Sequence, residues 1–78
     1  MRIEILENNN IIIEKNDTYY LIKKFRISGT FIDNYAIYSD YNNDIDYLKN
    51  AEEEELRYET ETATLEEALL FIKNYEEC

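Results

Sequence analysis

Thr18 to Ile27 reads TYYLIKKFRI, an alternation that sets Tyr19, Leu21, Phe25 and Ile27 on one face, interrupted by Lys23, with Tyr20, Ile22, Lys24 and Arg26 on the other. A period of two in a run rich in aromatic and β-branched side chains specifies a strand. Working toward the N-terminus, Lys15, Asn16 and Asp17 read as a turn, Ile11 to Glu14 as a β-branched strand, and Asn8 to Asn10 as a second turn, because Asn and Asp tolerate left-handed backbone. Arg2 to Glu7 alternates Ile3 and Ile5 with charged residues and completes an N-terminal hairpin. Toward the C-terminus, Ser28, Gly29 and Thr30 end the central strand, with Gly29 free to take a positive φ. Phe31 to Tyr41 pairs next, either as one strand or as a short hairpin turning on Asp33 and Asn34.

Asp40 to Asn50 is ambiguous, since Ile45 and Leu48 have helical spacing while Asn42 and Asn43 fit a turn. Leu56 to Ala63 alternates again, with Arg57, Glu59 and Glu61 on its charged face. Thr64 followed three residues later by Glu67 is a capping-box signal, and Glu66 and Glu67 favour the positive helix start. Leu65, Ala68, Leu69, Ile72 and Tyr75 form the apolar stripe of a helix running to about Tyr75. The expected fold is α+β: an antiparallel sheet of about four strands with a C-terminal helix packed on one face.

Seventy-eight residues make a single domain spanning 1–78, because a chain this short cannot fill two cores. Folding at this size removes only about 60% of the unfolded surface from water, so a binding site is expected on the surface and not in a large cavity. A hydrophobic content of 45%, with 14% aromatic, exceeds what a solvated disordered chain carries. The bias toward Asn, Ile, Tyr, Lys and Glu, without Pro, His or Trp, fits an AT-rich genome, that of a low-GC bacterium or its phage. The lone cysteine, Cys78, cannot form an internal disulfide and fits a reducing cytosol. Neither a signal peptide nor an apolar run near the roughly 18 residues of a membrane span is present, so a cytoplasmic protein is expected.

Histidine is absent, which removes the commonest general base and metal ligand. Ser28 and Ser39 therefore have no imidazole partner, and one glycine cannot build a phosphate-binding loop. Asp40, Asn42, Asp44 and Asp46 alternate as calcium-loop ligands do, but the sixth position is Ile45 in place of glycine and the twelfth is Ala51 in place of glutamate. No enzyme, cofactor or metal is expected. Lys15, Lys23, Lys24 and Arg26 do not make a nucleic-acid site either, because ten excess negative charges repel phosphates at long range.

That excess is unevenly placed. Met1 to Phe31 carries Arg2, Lys15, Lys23, Lys24 and Arg26 against Glu4, Glu7, Glu14 and Asp17, a net of +1, and the remainder of the chain carries −11. The acids concentrate at Asp40, Asp44, Asp46, Glu52, Glu53, Glu54, Glu55, Glu59 and Glu61, among Tyr41, Tyr47 and Tyr58. A charge run by itself is an ordinary solubilising face. On a regular strand, however, Glu59 and Glu61 project from one face about 6.8 Å apart, comparable with a nucleotide step. Carboxylates fixed by folding substitute for phosphates in a basic groove without the cost of ordering a flexible anion, and tyrosines add stacking and hydrogen bonds. These twelve residues are the candidate partner-binding site.

In length, acidity, Asn/Ile/Tyr/Glu-rich makeup and sheet-plus-helix outline, the chain resembles the small acidic inhibitors that phages direct against bacterial defence nucleases, notably anti-CRISPR proteins that mimic DNA. The resemblance implies a non-enzymatic inhibitor occupying the arginine-lined channel where a Cas effector reads its target DNA. The implied partner is a basic nucleic-acid-binding protein, with neither nucleic acid nor membrane bound directly. Two other classes share these features: an immunity protein or antitoxin that neutralises a basic toxin nuclease, and a structural module that self-associates through its sheet edge as a homo-oligomer.

Overall fold

The computed structural model describes residues 1–75; Cys78 lies outside the described residues. Five strands form one antiparallel meander in chain order: β1 (Arg2–Ile5), β2 (Ile11–Lys15), β3 (Thr18–Arg26), β4 (Asp33–Ser39) and β5 (Arg57–Thr62). A short helix, α1 (Ile45–Asn50), and a single 3-10 turn at Glu53–Glu55 connect β4 to β5, and α2 (Leu65–Asn74) follows β5. The fold is the expected α+β, an antiparallel sheet with a C-terminal helix on one face, with five strands where about four were expected.

The turns form where the short polar residues allow them. Asn16 and Asp17 take φ values of 51° and 63°, the pair of left-handed residues that lets a two-residue hairpin follow the sheet twist. Gly29 takes φ 79° in the loop before β4, where the Thr30 hydroxyl donates to the Ile27 carbonyl at 2.8 Å. Asp33 and Asn34 are strand residues, opposite Arg26 and Phe25. One continuous β4 therefore replaces the alternative hairpin.

Both faces of the sheet bury apolar side chains. On one, Ile12, Leu21, Ala36 and Tyr38 pack with Leu48 of α1 and with Leu56. On the other, Ile13, Tyr20, Ile22 and Ile37 pack with Ala68 and Ile72 of α2. The second cover was not anticipated, because α1 is only six residues long and is seated by Leu48 with Ile45 partly buried beside it, a helical pattern too short to outweigh the turn signal of Asn42 and Asn43. Asp44 caps α1 by accepting from the Asp46 and Tyr47 amides, and Thr64 caps α2 by accepting from the Glu67 amide, as the capping signal predicted. At the far end of α2, the Lys15 ammonium donates to the Ile72 and Tyr75 carbonyls at 3.0 and 2.7 Å. The Ile72 carbonyl also accepts from the Tyr75 amide at 3.3 Å, so the lysine adds to the C-terminal cap of the helix and ties it to β2.

Candidate functional site

The acids sort by which face of the sheet they reach, and a bulge decides the most important case. Between β4 and β5 the register runs Ile37↔Thr60 and then Tyr38↔Tyr58, leaving Glu59 as the extra residue. Glu61, opposite Ala36, and Tyr58, opposite Tyr38, point to the α1 face. Glu59 turns to the α2 face, where it accepts from the Ser39 hydroxyl at 2.7 Å and from Arg57 Nε at 2.8 Å, with its side chain only 7% exposed. The expectation that Glu59 and Glu61 project together is thus corrected. Glu59 is an internal counter-ion. Replacing it with alanine is expected to cost about 1–3 kcal/mol, because buried polar partners lose their acceptor, and to leave partner binding unchanged; denaturant titration beside a binding assay checks both.

Asp40 and Asp44 are likewise occupied. Asp40 is buried and accepts from the Asn42 and Asp44 amides at 3.2 and 2.9 Å. Asp44 spends its oxygen on the α1 cap. Their alternation, which mimics calcium ligation, is that of a turn followed by a helix cap. Among the described residues no group of three or more acids is placed to hold a metal ion.

What the α1 face does bring together is a set of carboxylates beside tyrosines. The Tyr38 hydroxyl donates to Glu53 at 3.5 Å and the Tyr47 hydroxyl to Glu55 at 2.6 Å, while Tyr58 lies beside Glu61. The Tyr38 and Tyr58 rings meet edge to face at 5.9 Å. They line an open cleft of about 210 Å³ with Lys23, Phe25, Ala36, Glu53 and Glu61. A second cleft of about 250 Å³ is lined by Asp40, Tyr41, Asn42, Asp44, Tyr47 and Glu55, so the 3-10 turn supplies one wall to each. Glu52, Glu54 and Asp46 are exposed around it. Tyr41 sits at the rim, 72% exposed, its ring 5.5 Å from the Arg57 guanidinium.

Two participants were not among the candidates. Tyr38 is buried among apolar neighbours and reads from sequence as core. Lys23, the charge interrupting the apolar face of β3, forms a 2.5 Å ion pair with Glu53. Its position among Tyr19, Leu21 and Phe25 was the available signal, since a lysine interrupting an apolar face lays its stem along that face and carries its charge to the rim, where an acid can meet it.

The hydroxyls of all three tyrosines titrate above their ordinary value. For Tyr38 the cause is burial and then the Glu53 charge and hydrogen bond; for Tyr47 it is first the hydrogen bond to Glu55; for Tyr58 it is desolvation and then Glu61. A raised folded value means that these contributions to stability are whole below pH about 10, where unfolded tyrosine still holds its proton, and are lost as pH rises through the folded values. An alkaline absorbance titration is expected to show late-ionising tyrosines, with one fewer in Tyr47→Phe. A curve matching free tyrosine throughout would contradict these contacts.

Among the described residues no helix is long and apolar enough to cross a membrane. No protein-family model, curated protein or solved structure matches this chain.

Proposed function

We propose that the protein is a non-enzymatic acidic inhibitor that mimics DNA and blocks the nucleic-acid-binding site of a bacterial defence nuclease, such as a Cas effector, in the cytoplasm of a phage-infected or prophage-carrying host. The observation that carries this reading is the set Glu53, Glu55 and Glu61 on the α1 face, each beside a tyrosine and two of them accepting from its hydroxyl. Carboxylates restrained in this way have little freedom left to lose on meeting an arginine-lined channel. They also form charge-assisted hydrogen bonds there as phosphates do. The binding set is narrower than composition implied: Glu53, Glu55, Glu61, Tyr47 and Tyr58, flanked by Asp46, Glu52 and Glu54. The role of Glu59 and Asp40 is to hold the framework.

Affinity capture from a host lysate tests the reading. Capture of a basic nuclease at low salt, its loss at high salt and its elution by duplex DNA are expected. Retention of a partner that DNA does not elute would refute mimicry. A toxin nuclease encoded beside this chain, captured in place of a defence effector, would favour the immunity-protein reading of the same face.

A further inference from the structure

Among the described residues the outer strand β1 pairs with β2 and with no other strand. Its register, Arg2↔Glu14, Ile3↔Ile13, Glu4↔Ile12 and Ile5↔Ile11, contains no bulge. The Leu6 amide donates to the Asn10 carbonyl at 2.8 Å, which makes that pair hydrogen-bonded. Alternation then turns the backbone groups of Arg2 and Glu4 toward β2 and those of Ile3 and Ile5 outward, to the open edge. The side chains of Ile3 and Ile5 stay 55% and 69% exposed, and Met1 beside them 62%. The opposite edge is protected differently: β5 carries the bulge and the charges of Glu59 and Glu61, devices that discourage edge pairing.

We propose that β1 pairs antiparallel with β1 of a second copy of this chain, about a two-fold axis at Ile3, joining two five-stranded sheets into one. The strand's own charges select the register. With Ile3 opposite Ile3 of the second copy, Arg2 faces Glu4 of the second copy and Glu4 faces its Arg2, while Ile5 faces Met1. Shifting by one permitted step sets Glu4 against Glu4, or Arg2 against Arg2 for the opposite shift, and like charges directly opposite are destabilising. In the chosen register Ile3 exchanges two backbone hydrogen bonds with its counterpart. The Arg2–Glu4 pairs fall at non-hydrogen-bonded positions, where cross-strand side chains are closest. Both side chains are open to solvent, Arg2 at 86% exposure although 3.5 Å from Glu14 and Glu4 at 54% although 3.0 Å from Lys49, so the pairs between copies share those existing contacts. β1 also belongs to the part of the chain with a net charge of +1, so two copies meet there without opposing their acidic faces. The pairing does not depend on the α1 face having a partner.

Sedimentation equilibrium of the full chain over a concentration series tests the pairing. A mass twice the 9.4 kDa of one chain is expected at high concentration. Ile3→Pro removes an amide that points away from β2, so it should keep the native circular-dichroism spectrum and sediment as a monomer. R2E turns two attractive pairs into two repulsive ones and should weaken association about tenfold or more, and the swap R2E with E4R should restore it. Should Ile3→Pro fail to fold, R2E and the swap decide. A wild-type chain that stays monomeric at every concentration overturns the proposal and leaves the edge to a strand of another protein. A dimer indifferent to R2E and to a folded Ile3→Pro overturns it as well, by placing the interface elsewhere.

Discussion

Ile37→Ala is expected to lower the unfolding free energy by about 2–5 kcal/mol, the range for deleting a fully buried aliphatic side chain and leaving a cavity. Ile37 is 0% exposed and sits on β4, between Ile22 of β3 and Thr60 of β5. It belongs to the cluster under Ala68 and Ile72 of α2. Strands pair on both sides of it and a helix lies above it, so little can collapse into the gap. A domain of this length has a total stability of about 4–12 kcal/mol, and the single substitution therefore removes a large share. Ile5→Ala, at a position 69% exposed, should change stability by less than about 0.5 kcal/mol. Urea titrations followed by circular dichroism check the contrast, and equal costs at the two positions would mean that the core is not organised around β4.

The largest functional effect is expected from reversing three charges together: Glu53→Lys, Glu55→Lys and Glu61→Lys. All three positions are exposed, so the fold should survive. The Lys23–Glu53 pair is lost, but both members are substantially open to solvent, 38% and 49%, and such pairs contribute about 0–1 kcal/mol. Association with a basic partner, by contrast, depends on long-range steering, and reversing the field at the contact should slow it by about 10- to 1,000-fold, most strongly at low salt. Binding kinetics at two ionic strengths measure this. The control is Glu66→Lys with Glu67→Lys in the first turn of α2, on the other side of the sheet, which moves the net charge by +4 where the triple variant moves it by +6. Slowing in proportion to those two changes would show that net charge alone matters and that the α1 face has no special part.

Much of the architecture is legible in the amino-acid order because local and global preferences agree. The alternation of Thr18 to Arg26, the Asn16-Asp17 turn and the Thr64 cap each appear where the sequence puts them. The bulge at Glu59 is different. Arg57 to Thr62 reads RYETET, in which polar residues stand on both faces, so no apolar pattern pins the register and a one-residue slip leaves no trace in the sequence. That slip moves Glu59 from the face expected to carry Glu61 into a contact with Ser39 and Arg57. The turn and cap contacts of Asp40 and Asp44 were missed for a related reason: a short acid in a turn or cap is indistinguishable by composition from one offered to a partner, although Asn42 and Asn43 beside them already marked a turn. Tyr47 and Tyr58 entered the candidate set because aromatic residues among acids are conspicuous. Tyr38 was hidden by its apolar ring, which packs in the core while the hydroxyl reaches Glu53.

A competition in solution addresses the DNA-mimic claim most directly: fluorescence anisotropy of labelled duplex DNA bound to the captured basic protein, as this chain is added. The expected outcome is a fall to the anisotropy of free DNA as the complex is titrated, with the triple Glu→Lys variant without effect. An anisotropy that holds or rises while this chain is bound would place protein and DNA on the partner together, and the α1 face would then not occupy a nucleic-acid site.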